Sequence, residues 1–264
     1  MKRTLLVLML PALVVGCHRV PITGRKQVNL LSETEMMGMS LSQYQAFIQE
    51  NPPLSDGDPR VRQVRTIGER LARAATEYLT EHHAADRVEG FQWTFNVVDD
   101  PTVNAWCMPG GRVVVYTGIL PVTQDDAGLA VVMGHEIAHA IARHGNERMS
   151  QGMAVQLGGA ALSVALSQEP SLTNDLFLQS YGIGSQLGTL AFSRKHESEA
   201  DKMGLVFMAL AGYDPQAAPS FWERMSAMGG GGAPELLSTH PSDERRVADL
   251  EAFMPEALKY YTPR

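Results

Sequence analysis

The run VVMGHEIAHAIARHG, from Val131 to Gly145, is the feature that most restricts how this chain of 264 residues can fold. Its apolar residues occupy nearly every face of a helix, which indicates a buried helix rather than a surface one. His135, Glu136 and His139 interrupt this apolar run. Buried ionisable side chains are costly unless they are paired or bind a metal ion. The sequence therefore predicts a core helix whose three polar residues share a partner.

The spacing of these polar residues predicts a zinc site. Residues four apart project from nearly the same face of a helix, so His135 and His139 can bind one ion together. Glu136 points about a quarter-turn away, where its carboxylate reaches a water molecule rather than the metal. This is the position of a general base in zinc hydrolases. We expect one Zn²⁺ per chain; the alternative is a polar stripe on a surface helix.

A third metal ligand is expected, because catalytic zinc usually takes three protein ligands. The segment FSRKHESEADKMG, from Phe192 to Gly204, contains Glu197 and Asp201 four residues apart on one face of a further helix. One carboxylate can bind the ion while the other accepts a hydrogen bond from a ligand histidine. The alternative is a solvated, charged helix face, and the spacing alone leaves both interpretations open.

Composition favours a catalytic domain over a nucleic-acid-binding one. A hydrophobic content of 44% in 264 residues is enough for a sizeable core, and we expect residues 17–264 to form a single domain. The formal charge of -7 and the pI near 5.6 argue against a nucleic-acid partner, since there is no basic stripe to neutralise phosphates.

The N-terminus resembles that of a bacterial lipoprotein. Lys2 and Arg3 precede an apolar stretch, Leu5 to Val15, that is too short to span a bilayer, so residues 1–16 are predicted to be a signal peptide. Small residues lead into Cys17, as in a lipobox, which predicts lipidation of this cysteine; plain secretion or an uncleaved anchor are the alternatives. His18 follows in place of an aspartate. By the usual Gram-negative sorting rule, this favours the outer membrane, facing the periplasm.

The rest of the chain predicts a mainly helical α+β fold. Ser32 with Glu35 forms a capping box for a helix that runs toward Glu50, and a second amphipathic helix covers residues 61–79. Alternation from Phe91 to Val97 predicts a strand, followed by strands at residues 103–108 and 112–116. We expect these strands to form a small antiparallel sheet.

A strand beside the metal can pair with the extended backbone of a peptide substrate. Asn104 and Ala105 are the candidates for this substrate-binding edge. The alternative is a hairpin that only covers the core.

Four motifs, HEIAH, ESEAD, NAWCMPGG and STHPSDERR, resemble the gluzincin family that contains the CAAX prenyl proteases, the OMA-type mitochondrial proteases and the periplasmic proteases BepA and LoiP. The similarity runs from Thr23 to the His-Pro pair near the C-terminus. Without multiple membrane spans or a tetratricopeptide array, the chain is similar to the short, lipoprotein-like members. The resemblance implies a zincin-like metallopeptidase domain with a small sheet next to an active-site helix. It also implies that Glu197 is the third ligand and that Asp201, rather than Glu199, is its second-shell partner.

Two residues near the C-terminus match further functional positions of this family. His240 precedes Pro241, and if it reached the zinc it would close the site as a fourth ligand, the latch role thought to operate in relatives. A capping or core-edge histidine is the alternative. Arg246 matches a family arginine that faces the substrate carbonyl or its oxyanion, although Arg245 could exchange roles with it.

These features predict a zinc-dependent metalloendopeptidase that acts on misfolded or unassembled envelope proteins, with the outer-membrane assembly machinery as a candidate partner. Two other functions fit the same zinc domain. One is a chaperone-like or assembly factor for outer-membrane proteins, with a latched site and little proteolysis. The other is a zinc hydrolase that cuts peptidoglycan peptides.

Overall fold

The four longest helices of the described residues each begin after a side chain that accepts a backbone amide. The computed structural model describes residues 17–157, 173–177, 193–228, 235–240 and 245–263, so the expected signal peptide lies outside it. The helices are α1 Glu33–Glu50, α2 Pro59–Glu81, α3 Leu120–Thr123, α4 Asp126–Ile141, α5 His144–Leu157, α6 Arg194–Leu210, α7 Ala217–Ala227, α8 Glu235–Thr239 and α9 Arg246–Ala257. The strands are β1 Cys17–Arg19, β2 Lys26–Val28, β3 Thr94–Val98, β4 Ala105–Met108 and β5 Arg112–Tyr116.

The first two helices confirm the sequence predictions. Ser32 accepts the Glu35 N–H, and the Glu35 carboxylate accepts the Ser32 N–H at 2.9 Å, so the capping box is present. Helix α2 begins after Asp58, whose side chain accepts the Arg60 N–H at 2.8 Å. Its apolar stripe is buried in the main core of the domain.

Helix α4 is the central helix of the domain. Every one of its residues from Gly128 to Ile141 is buried, as the apolar run predicts. It packs against α2, α6, α7 and β4, so neighbours surround it on all sides. The three ionisable residues of the run are consequently enclosed in protein.

The three-stranded sheet is mixed, which corrects the prediction of an antiparallel sheet. The strand order is β3-β5-β4; β5 runs antiparallel to β4 but parallel to β3. The hairpin between β4 and β5 turns through Gly110 and Gly111, which both have positive φ. This tight turn places β5 between its hairpin partner and β3. A side chain at Gly111 would lie only 2.8 Å from the Trp93 ring, so this approach requires glycine.

Helices α4 and α6 approach each other closely through two glycines. A Cβ atom added to Gly204 would lie 3.0 Å from the backbone nitrogen of His135, and one added to Gly134 would lie 3.2 Å from the Gly204 carbonyl oxygen. Larger side chains here would separate the helix axes. The contact brings the polar residues of α4 opposite Glu197 and Asp201 of α6.

Among the described residues, no helix has the length and apolar character needed to cross a lipid bilayer.

Candidate metal centre

Four buried side chains converge between α4, α6 and the end of α8. His135, His139, Glu197 and His240 each offer one potential ligand atom, and these four atoms lie within 4.8 Å of one another. Two histidines come from adjacent turns of α4, and the glutamate comes from the first turn of α6. His240 directly follows α8. All four residues are at most 4% exposed.

The spacing of these atoms fits a zinc ion. Ligands placed about 2.0–2.1 Å from zinc at the corners of a tetrahedron are about 3.3 Å apart. The Nε2 atoms of His135 and His139 are 3.1 Å apart, and His139 Nε2 lies 3.4 Å from Glu197 Oε1. His240 Nδ1 lies 3.4 Å from His135 Nε2 and 3.1 Å from Glu197 Oε1. Two nitrogen donors and a carboxylate are also the chemistry that catalytic zinc prefers.

Glu197 is held in its charged form. Burial alone would raise the pKa of its carboxyl group, but the surrounding rings of His240, His135 and His139 outweigh burial and lower the pKa well below its usual value. Glu197 Oε2 makes no hydrogen bond in the described part of the chain. Arg246 Nη1 and His135 Nε2 each lie 3.4 Å from this oxygen, close enough for charge pairing, and a metal ion at the cluster would add a direct bond.

Glu136 lies beside the cluster but does not join it. It is 3% exposed, and its Oε1 atom makes no hydrogen bond within the described ranges. Burial is the largest influence on this carboxyl group and raises its pKa. A carboxylate with a raised pKa and an unsatisfied oxygen is suited to accept a proton.

Asp201 and Arg246 fix the orientation of His135. The Nδ1 atom of His135 lies 2.9 Å from Asp201 Oδ1, which directs Nε2 toward the cluster. Arg246 Nη2 donates to the same Asp201 oxygen at 2.7 Å, and its guanidinium lies 3.3 Å from the ring centre of Trp222. Arg245 is exposed at the start of α9, so Arg246 is the arginine of this pair that reaches the cluster.

The ring of His240 lies between Glu197 and Glu136. Its Nδ1 atom faces the cluster, and its Nε2 atom is 3.7 Å from Glu136 Oε1. In a three-ligand zinc site, a water molecule would occupy the space between the ion and the general base. The structure therefore places an imidazole ring in that space.

Asn104 and Ala105 lie at the start of β4, which is an edge strand of the three-stranded sheet. Both residues are buried, and Ala105 N–H donates to the Asn104 side-chain oxygen at 2.9 Å. The Leu236 N–H of α8 donates to the carbonyl of Val103 at 3.4 Å, just before this strand. The edge strand is thus present, with a segment near His240 in contact with it. Cys17 begins β1.

The sequence analysis missed a second group of buried polar residues beside the cluster. His144 Nδ1 lies 2.9 Å from His139 Nδ1, and its Nε2 atom lies 3.0 Å from Glu199 Oε2. Arg25 Nε donates to the same Glu199 oxygen at 2.8 Å. Burial lowers the pKa of His144 to about 4, although the hydrogen bond to Glu199 opposes this. His144 lies in the same apolar run as the metal motif, and this position is the sequence signal that could have indicated the second group.

The buried helix with its two histidines and glutamate, joined by a carboxylate from a second helix, defines the class of zincin-like metallopeptidases. A profile of Peptidase family M48 matches residues 60–254, more than half of the chain. The chain belongs to this family, which confirms the resemblance found in its motifs.

Similar proteins are metalloendopeptidases of mitochondria and a bacterial protease. The chain is 42% identical over 187 residues to the mitochondrial metalloendopeptidase OMA1 of Arabidopsis thaliana, covering 68% of this chain and 36% of the relative. It is 35% identical over 242 residues to the OMA1 protein of Schizosaccharomyces pombe, covering 90% and 66%. It is 28% identical over 244 residues to the beta-barrel assembly-enhancing protease of Escherichia coli, covering 90% and 48%. The chain thus spans about a third to two thirds of the length of these relatives.

Proposed function

We propose that the chain is a zinc-dependent metalloendopeptidase that hydrolyses peptide bonds of misfolded or unassembled envelope proteins. The observation that carries the proposal is the convergence of His135, His139 and Glu197 beside the buried carboxylate of Glu136. The first three residues would hold one Zn²⁺, which polarises the scissile carbonyl and lowers the pKa of a water molecule when bound. Membership of a peptidase family supports this reaction.

In this proposal, Glu136 moves the proton. Its Oε1 atom accepts a proton from the attacking water and later donates it to the leaving amine nitrogen. Asp201 accepts the Nδ1 proton of His135 and so keeps Nε2 of that ring available to the ion. Arg246 stabilises negative charge on the substrate carbonyl oxygen through Nε, which makes no hydrogen bond in the described residues, while its Nη1 atom lies 3.4 Å from Glu197 Oε2.

We propose that an extended substrate pairs with β4 at Asn104 and Ala105. The position of this strand at the sheet edge and its packing on α4 support the proposal. Residues 235–240 would have to move first, because Leu236 donates to the Val103 carbonyl and His240 faces Glu136.

We further propose that residues 1–16 are a signal peptide and that residues 17–264 form one domain with a lipid on Cys17. This arrangement would tether the domain to the outer membrane of a Gram-negative bacterium, in the periplasm and close to the outer-membrane assembly machinery. The name of the Escherichia coli relative, a beta-barrel assembly-enhancing protease, supports this location. The OMA1 relatives are mitochondrial by name, so the compartment depends on the N-terminal residues of this chain.

The proposed function is tested by incubating the purified, zinc-loaded chain with an unfolded outer-membrane β-barrel protein. Peptide products are expected, with about one zinc per chain, and they should disappear on chelation and return when zinc is restored. Gel analysis and mass spectrometry identify the products. Cleavage that survives chelation would contradict the assignment. Suppression of client aggregation without cleavage would favour the assembly-factor function instead.

Replacing His240 by alanine is expected to raise peptidase activity by about tenfold or more. The ring lies between Glu197 and Glu136, so in this proposal the wild type is active only in the fraction of molecules in which the ring has moved away. If that fraction is about a tenth or less, removing the ring makes every molecule competent and raises the rate by about tenfold or more. Initial cleavage rates at saturating zinc measure the effect.

The control for this variant is Ser238→Ala, an exposed position in the same short helix, which should leave the rate unchanged. Equal or lower activity of His240→Ala would contradict the latch. The closed arrangement of four protein side chains is also the observation that favours the second candidate function, a chaperone-like assembly factor with little proteolysis.

A further inference from the structure

Both nitrogens of the His139 ring have close polar neighbours. Its Nε2 atom faces the cluster, at 3.1 Å from His135 Nε2 and 3.4 Å from Glu197 Oε1. Its other nitrogen, Nδ1, lies 2.9 Å from Nδ1 of His144. A close contact between two ring nitrogens requires a proton on one of them and a lone pair on the other. The direction of this hydrogen bond determines which nitrogen of His139 keeps a lone pair for a metal ion.

Glu199 settles the direction of that hydrogen bond. Its Oε2 atom is 3.0 Å from Nε2 of His144 and accepts a hydrogen bond from Arg25 Nε at 2.8 Å, while its Oε1 atom accepts one from the Thr23 hydroxyl. An ionised carboxylate only accepts hydrogen bonds, so Nε2 of His144 carries the proton. Nδ1 of a His144 ring that carries one proton is then an acceptor, and Nδ1 of His139 donates to it. This arrangement leaves the lone pair of His139 on Nε2, which faces the cluster.

The N-terminal strap, residues 20–28, holds Glu199 in place. Arg25 Nε donates to Glu199 Oε2 at 2.8 Å, and the Thr23 hydroxyl donates to Glu199 Oε1. The two terminal nitrogens of Arg25 each donate to one oxygen of Glu147 at 2.7 Å. One guanidinium therefore joins a carboxylate that contacts His144 to a carboxylate of α5.

The two α4 histidines are thus oriented by separate chains of polar groups, each ending in an arginine. His135 contacts Asp201, and Asp201 in turn accepts a hydrogen bond from Arg246. His139 contacts His144, His144 contacts Glu199, and Glu199 accepts a hydrogen bond from Arg25. Arg143, the second of the two residues between α4 and α5, has a φ of +59°, and this turn directs His144 back toward His139.

We propose that His144, Glu199 and Arg25 form a positioning relay that fixes the ring orientation and tautomer of His139, so that the N-terminal strap contributes to metal affinity. The inference rests on the proposed function, because it takes His139 as a zinc ligand. Partners of this kind typically change metal affinity by about 10–100-fold when they are removed.

The test compares isosteric substitutions. His144→Leu and His144→Asn have nearly the same shape, but only asparagine keeps an oxygen acceptor near the original Nδ1 position. Zinc affinity, measured by competition with a fluorescent chelator on the full chain, should fall by about 10–100-fold in His144→Leu. The asparagine variant should recover most of that loss. In the cobalt(II)-loaded chain at saturating metal, His144→Leu should also shift the visible absorption bands of the wild type.

A second pair separates the relay from general stability. Glu199→Gln and Glu147→Gln each neutralise a carboxylate bound to the same guanidinium of Arg25. We expect a loss of about tenfold in zinc affinity for Glu199→Gln, at the lower end of the range for indirect partners, and no comparable loss for Glu147→Gln. Thermal unfolding of the metal-free variants measures the effect on the fold in both cases.

Three outcomes would overturn the relay. In the first, His144→Leu and His144→Asn bind zinc as tightly as the wild type does. In the second, the two His144 variants lose affinity equally. In the third, affinity across all four variants simply follows their melting temperatures. A wild type that binds no zinc would instead remove the proposed function together with the relay.

Discussion

Replacing Glu136 by glutamine is expected to lower the peptidase rate by about 10³-fold while leaving the fold and the zinc content unchanged. General-base catalysis typically contributes 10²–10⁴-fold. The amide has nearly the same shape as the carboxylate but cannot accept a proton. Glu136 lies outside the group of four candidate ligand atoms, so the substitution removes none of them. The measurement is the initial rate of cleavage of an unfolded envelope protein, with the metal content of each sample determined in parallel.

Glu147→Gln is the matched control for this experiment. It replaces another buried glutamate, 7% exposed, whose carboxylate is bound to Arg25 rather than directed at the cluster. The control is expected to lose some stability and to retain the wild-type rate per zinc-loaded molecule. If Glu136→Gln cut the client as fast as the control, Glu136 would not be the base. If Glu136→Gln also rescued an envelope defect in cells, the assembly-factor function would gain over proteolysis.

The central helix was predictable because its sequence favours burial over the alternative of a surface helix. Apolar residues cover all faces of α4, so the helix could only be buried, and its ionisable residues had to find partners inside the protein. The capping box at Ser32 and the stripe of α2 were predictable for the same kind of local reason. Each of these features depends on residues within a few turns of one another.

The sheet order was not predictable, because it depends on a contact between separate segments. Alternating residues identified the strands, and Gly110 with Gly111 indicated the hairpin between β4 and β5. The alternating pattern does not show whether β3 pairs with β4 or with β5. The parallel register of Thr94 with Arg112 is a tertiary feature, and the antiparallel expectation was wrong at that pair.

The position of Glu199 shows why the relay could not be predicted from the local sequence pattern. Residues two apart on a helix are separated by about 200°, so Glu197 and Glu199 point in nearly opposite directions. On an amphipathic helix, one of these two glutamates would be expected to face the solvent, yet both are at most 4% exposed. The far side of the helix is covered by Arg25 and Thr23 of the N-terminal strap, which lies more than 170 residues earlier in the chain.

Replacing Glu197 by glutamine is expected to weaken zinc binding by about 10²-fold. A structural zinc site with four ligands contributes about 10–16 kcal/mol of apparent binding free energy, so one ligand accounts for about 2.5–4 kcal/mol. Each 1.4 kcal/mol is a factor of ten in affinity. The amide keeps the shape of the side chain but removes the negative charge that the rings of His240, His135 and His139 stabilise. Competition with a chelator of known affinity measures the change.

The zinc-induced rise in stability provides an independent measurement of the same loss. Binding to the folded state alone stabilises it by RT ln(1 + [Zn]/Kd), so a 10²-fold weaker site loses about 2.7 kcal/mol of stabilisation at a fixed zinc concentration well above both Kd values. Glu223→Gln, an exposed position in α7, should keep the full wild-type stabilisation. The zinc-induced stabilisation of Asp201→Asn should lie between those of Glu197→Gln and Glu223→Gln, because Asp201 would act on the ion through His135. Equal zinc-induced stabilisation in Glu197→Gln and Glu223→Gln would mean that Glu197 is not a ligand, and the carboxylate of the site would have to be sought elsewhere.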